Sequence, residues 1–198
     1  GLARITPQPD AGSRLNHGVE AVGARLVGMP VATVGETLID EIAGSSGILF
    51  GMSLMTASEE FADGIDLTAA AAFAEAYTEQ VAERGDVTVG SKTMYDALVP
   101  VVDVLKAAAE ADEATPAEAS ACAVEAARRG VSFTSPLRAK RGRASYTEWN
   151  SVGHPDPGAM GTYIVLQEIH ASVESATGEQ VTPRLSDGLD QATGNRQD

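Results

Sequence analysis

The chain has 198 residues, long enough for one domain with a substantial core. Hydrophobic residues make up 43 %, enough to fold, while aromatic residues are only 5 % and alanine is abundant, which favours closely packed helices over an aromatic-rich β-sandwich. The formal net charge of −14 argues against general binding to nucleic acid or an anionic membrane, both polyanions, yet leaves room for a nucleotide in one basic or amide-lined pocket.

Residues 1–12 read as loop, punctuated by Pro7, Pro9 and Gly12. Ser13 caps a predicted helix to about Val27, with Leu15, Val19, Val22 and Leu26 at helical spacing, and Met29-Pro30 ends it. A second helix carries Val34, Leu38, Ile39 and Ile42 and stops at Ala43-Gly44-Ser45-Ser46-Gly47, where two glycines around two serines demand a tight turn. The apolar period resumes from Ile48 to about Phe61, and Leu67 to Val81 is an alanine-rich helix ended by Arg84-Gly85-Asp86. Ser91 caps the next helix, which runs to about Ala111 with Pro100 inside it as a kink or an opening of its first turns. Another helix spans about Pro116 to Arg129. Residues 130–158 read as loop with short helical pieces, and Ala159 to about Val173 is a final apolar helix.

No segment alternates with period two, so the fold class is all-α, with seven or so helices in up-and-down antiparallel order. The domain spans residues 1–175, and residues 176–198 form a polar C-terminal tail. The single cysteine, Cys122, excludes an intrachain disulfide and reads as part of a packed helix face. No stretch reaches the roughly 18 apolar residues of a membrane-spanning helix, and no secretory signal opens the chain, which points to a cytoplasmic protein. Gly1 in place of a starting methionine points to a trimmed or tagged chain.

Three glycine-containing loops, Pro9 to Gly12, Gly44 to Gly47 and Gly85 to Thr93, and one basic loop, Lys140 to Gly158, carry candidate chemistry. Gly44-Ser45-Ser46-Gly47 suits either a plain corner between helices or a loop offering N–H groups and hydroxyls to a phosphate. Ser91-Lys92-Thr93 reads as a capping serine beside a solvated lysine, with a phosphate contact as the alternative. Arg138, Lys140, Arg141 and Arg143 concentrate four of only 14 basic residues in one short loop. That loop continues into an ordered string of uncommon residues: Gly142-Arg143-Ala144-Ser145-Tyr146, a spacer, then Ser151-Val152-Gly153-His154-Pro155-Asp156-Pro157-Gly158-Ala159.

The string resembles the signature of the nucleotide-binding (L) subunit or C-terminal domain of the dihydroxyacetone kinase family. Gly44-Ser45-Ser46-Gly47 is similar to that family's glycine–serine phosphate loop, and Gly90-Ser91-Lys92-Thr93-Met94-Tyr95-Asp96-Ala97-Leu98 to its G-D-K-T-M-x-D-x-L helix start. The resemblance covers roughly residues 10 to 170. It implies an antiparallel barrel of eight helices, with ATP or ADP and two magnesium ions held by the loops at one end.

Carried over, the resemblance puts Ser45 and Ser46 on the phosphates, and Gly85 and Met94 on the adenine or ribose side. Arg143 then serves as a catalytic, bidentate phosphate partner, and Asp156, Pro157 and Gly158 close over the nucleotide. His154 orders its loop, because the ketose-binding histidine of the family lies on a separate subunit. The family's metal loop, with three aspartates and a histidine, falls on residues 2–14. There Asp10 keeps a carboxylate and Gly12 the glycine, whereas Ala3 and Gln8 stand at the other two aspartates, Ala11 at the histidine and Arg14 at an asparagine. The family's opening helix has no counterpart ahead of that loop. The implied partners are a ketose-binding kinase subunit and a phosphotransferase-system donor protein, with no nucleic acid or membrane. Three activities are expected from this: a dihydroxyacetone-type kinase, a regulatory nucleotide-binding homologue with a degraded magnesium site, or a related kinase for another acceptor.

Overall fold

The computed structural model describes residues 30–42, 45–111 and 113–183, and the side chains of Ser45, Ser46, Arg143, Thr147 and Glu148 lie outside that description. Within it are six α-helices: α1 (Val31–Glu41), α2 (Ser45–Ala57), α3 (Leu67–Gly85), α4 (Tyr95–Glu110), α5 (Pro116–Thr134) and α6 (Pro157–Thr177). Two 3-10 helices, Ser58–Phe61 and Arg143–Ser151, complete the order, and among the described residues there is no strand. None of these helices is long and apolar enough to cross a membrane. The helix predicted over residues 13–27 lies outside the described residues.

Local chemistry sets the helix ends. Asp66 caps α3 by accepting from the Ala69 N–H at 2.8 Å. Thr115 and Glu118 form a reciprocal capping box on α5, with Pro116 at its first position, where no N–H is needed. Asp156 caps α6, Pro157 comes next, and Gly178 closes the other end in the left-handed region at φ 76°.

Each helix packs against the next in sequence, and α4 also packs against α6. This is the all-α, up-and-down antiparallel arrangement. Small residues bring the axes close. Ala117, Ala119, Ala121, Ala123, Ala126 and Ala127 of α5 are all buried, and three of them pack with Val101 and Val104 in a core that half-buried Cys122, Tyr163 and Leu166 cover.

Helix α5 runs to Thr134 instead of stopping near Arg129. Gly130, which resembles a helix stop in the sequence, is a contact residue. A Cβ there would sit 2.6 Å from both the Cα of Ala97 and the carbonyl oxygen of Asp96. That carbonyl is the one denied its i+4 helical donor by Pro100, so the proline and the glycine meet across the α4–α5 interface. At the other side of α5, the His170 ring joins Ser120 Oγ at 2.8 Å and the Val181 carbonyl at 2.9 Å, while Glu174 accepts from the Val181 N–H at 2.7 Å. Residues 178–183 are thereby tied to α6.

Candidate functional site

Up-and-down order gathers alternate connections at one end of the bundle. The start of α2, residues 86–94 between α3 and α4, and residues 135–156 between α5 and α6 share that end. Phe50 of α2 links the first two by packing against Leu38 and Ile42 on one side and Val81, Val87, Met94 and Leu98 on the other.

Lys92 is the hub. It is 2 % exposed and holds a left-handed backbone at φ 59°, which turns its side chain inward. Its Nζ donates to the carbonyls of His154 at 2.6 Å, Thr134 at 2.7 Å and Ser135 at 3.4 Å. An ammonium has three donors, and three carbonyls meet them. Thr134 ends α5, so the cation also sits at that helix's negative dipole end and satisfies carbonyls that the helix cannot. Burial lowers the lysine's pKa, partly offset by the field of Asp156.

Two buried carboxylates organise the neighbouring turns. Asp96 accepts from the Gly90 N–H at 2.5 Å and the Thr93 N–H at 2.9 Å, folding residues 90–96 around itself. Asp156 accepts from the Ala159 N–H at 2.8 Å, and its own N–H donates to the hydroxyl of fully buried Thr134 at 2.9 Å. Burial raises the Asp156 pKa, against the N–H groups of Ala159 and Gly158 and the charge of Lys92. Because Asp156 takes up the first donors of α6, that helix start is not an open anion site. The start of α2 has no acidic residue in its first turn.

The basic loop is tied to the same turns. The Lys140 N–H donates to the Ser91 carbonyl at 3.1 Å, and Ser151 Oγ accepts from the Ala139 N–H at 3.0 Å. Arg141 donates to the Asp86 carbonyl at 3.0 Å and forms an ion pair with its carboxylate. Beyond it, the exposed Trp149 ring stacks under Arg138, whose guanidinium carbon lies 5.1 Å from the ring centroid.

The residues singled out in the sequence fall mostly at this end. Gly85 ends α3, with Asp86 left-handed after it, and buried Met94 precedes α4. Gly158 lies against Met94: a Cβ on it would be 3.4 Å from the Met94 Cβ and 2.9 Å from Asp156 Oδ2. Asp156, Pro157 and Gly158 are the cap and first two residues of α6, where the sequence predicts a loop. Ser45 and Ser46 fall in the first turn of α2, not in a turn before it, because that helix begins ahead of Ile48. Arg143 opens the second 3-10 helix. Asp10 and Gly12 lie outside the described residues.

Two expectations about Ser91-Lys92-Thr93 are corrected. Lys92 is buried instead of solvated, and Ser91 does not cap α4, since its Oγ accepts from the Thr88 N–H at 3.0 Å and the helix starts at Tyr95. His154 is exposed, and its backbone carbonyl accepts from Lys92 Nζ. Sequence reasoning misses Asp96 and Thr134; the aspartate stands in the helix-start motif, but no spacing signal marks Thr134.

Among the described residues, no three or more His, Cys, Asp or Glu side chains gather where a metal ion could be held. The family model described as the DAK2 domain matches residues 9–171. The chain belongs to the DAK2 domain family. Among similar proteins is the PEP-dependent dihydroxyacetone kinase, ADP-binding subunit DhaL, of Escherichia coli (strain K12), 32 % identical over 84 % of this chain and 83 % of that one. The L-erythrulose 1-kinase of Mycolicibacterium smegmatis (strain ATCC 700084 / mc(2)155) is 36 % identical over 68 % of this chain, which spans 24 % of that longer protein. The crystal structure of the dihydroxyacetone kinase of C. freundii shares the fold, with a TM-score of 0.56 at 23 % identity over 81 % of this chain and 28 % of that one.

Proposed function

We propose that this DAK2 domain is the nucleotide-binding subunit of a cytoplasmic dihydroxyacetone-type kinase. It binds ADP or ATP at the end where residues 45–47, 85–96 and 138–158 converge, and the phosphoryl group passes to a small ketose held on a partner subunit. The observation that carries the proposal is this convergence in a chain that shares 32 % identity with an ADP-binding subunit over most of both lengths. The start of α2, with Ser45 and Ser46 and no acidic residue in its first turn, suits the phosphates. Arg143, at the head of the 3-10 helix, offers the planar donors that a transferring phosphoryl group needs. Met94 and Gly158, with Gly85 nearby, line the apolar side for the base or ribose. The relative's PEP dependence makes a phosphotransferase-system protein the proposed phosphoryl donor.

Magnesium fits less well. Residues 1–29 hold two carboxylates, Asp10 and Glu20, against the three aspartates of the family loop, so the donor set falls short of a two-ion clamp. This favours, as a second reading, a regulatory nucleotide-binding homologue. Calorimetry with ADP, with and without magnesium, tests both. Metal-dependent tight binding, weakened in Arg143→Ala without loss of fold, supports the kinase subunit; metal-independent binding supports the regulator; no binding under either condition refutes both.

A further inference from the structure

We propose that Lys92 is a positioning residue for nucleotide binding: its buried ammonium holds the carbonyls of Thr134, Ser135 and His154 and thereby sets the Asp156–Gly158 turn against Met94. The assignment rests on the nucleotide-binding reading of this end of the bundle and adds to it a residue that would touch no ligand.

The three carbonyls belong to two separate parts of the chain, the end of α5 and the loop entering α6, which lie 42 to 62 residues from Lys92. The Gly153 N–H donates to the Ser135 carbonyl at 2.8 Å and joins these two parts to each other, and the ammonium ties both of them to residue 92 from one point. The geometry also passes directly to the proposed site. Thr134 both offers its carbonyl to Lys92 and accepts the Asp156 N–H through its hydroxyl, which donates in turn to the Val131 carbonyl at 2.7 Å. Two residues on, Gly158 stands against Met94, where a Cβ would lie 3.4 Å from the Met94 Cβ and 2.9 Å from Asp156 Oδ2. Displacing Thr134 or His154 therefore displaces the turn.

The arrangement is also costly. A left-handed conformation for a residue with a Cβ costs on the order of 1 kcal/mol, and glycine would make the same turn without it. Burying a cation costs several kcal/mol unless it is well paired. An apolar side chain would fill the same space without the charge penalty, so the ammonium's donors are what the site uses. Ser91 extends the hub, since its carbonyl anchors Lys140 and with it the basic loop that leads to Arg143.

The test is ADP calorimetry on Lys92→Gly and Lys92→Met, with folding checked by circular dichroism and thermal unfolding. Glycine suits the left-handed backbone and leaves a cavity shaped for n-butylammonium, the deleted side chain itself. Methionine keeps the volume and removes the donors, and it carries the test if the glycine variant does not fold. Folded variants are expected to bind ADP roughly ten- to a hundred-fold more weakly, as when a charged donor is taken from its acceptors. Added n-butylammonium should restore the glycine variant, and the uncharged n-butanol should not. Wild-type-like ADP affinity in a folded variant overturns the proposal, as does equal rescue by n-butanol, which would make Lys92 a space-filler. Wild-type protein that binds no ADP overturns the nucleotide reading instead, and this assignment with it.

Discussion

Replacing Gly130 by alanine sets two forces of opposite sign against each other. In a helix interior, Gly→Ala gains about 1 kcal/mol from backbone entropy. Here the new Cβ would lie 2.6 Å from the Ala97 Cα and the Asp96 carbonyl oxygen and 3.2 Å from the Ala97 nitrogen. All three are backbone atoms, so no side chain can swing aside, and α4 and α5 must separate by roughly 0.8 Å to reach ordinary contact. Overpacking of this kind costs about 1–3 kcal/mol, and the separation also loosens the layer of Ala97, Val131 and Ala159 beneath the site. The net expectation is a loss of up to about 2 kcal/mol, which at roughly 2–4 °C per kcal/mol lowers Tm by up to several degrees. Urea and thermal unfolding read it directly. Because Asp96 organises residues 90–96, ADP affinity should fall as well. A raised Tm would mean that helix propensity wins and that the α4–α5 contact is not tight.

Thr134→Val keeps the side-chain shape but leaves the buried Asp156 N–H without its acceptor; the expected loss is about 1–3 kcal/mol in urea unfolding, with weaker ADP binding by calorimetry. Thr115→Ala removes the α5 capping box at the opposite end of the bundle and should cost about 1 kcal/mol with ADP affinity unchanged. Hydrogen bonds from Arg128 and then Arg129 hold the Glu125 carboxyl below its ordinary value near 4.5. A depressed folded-state pKa gives stability that is present above the unfolded value and lost as pH falls through the folded one. Glu125→Gln should therefore flatten the acid limb of a stability–pH profile below that value by at most about 0.5 kcal/mol, since the arginines are half exposed.

Helix order and fold class are legible in the sequence because apolar period and alanine content speak locally. Boundaries fail where a residue has a tertiary use. Gly130 looks like a stop and is a contact; Ser91 looks like a cap, while Asp96, five residues on, binds the turn's N–H groups. The Asp156-Pro157 pair is itself a helix-start signal, an N-cap aspartate before a first-turn proline, but it reads as loop because glycine and proline crowd around it. Lys92 is the least legible residue. A lysine in an acidic chain reads as solvated, and only the fold brings the end of α5 and residue 154 to it.

If nucleotide binds where the α2 start, residues 85–96 and residues 138–158 meet, amide hydrogen exchange with and without ADP should register it segment by segment. New protection is expected in those three segments and none at the opposite end, in residues 58–66 and 113–116. Protection confined to the opposite end, or ADP binding with no change in the three segments, would place the nucleotide elsewhere and refute the site.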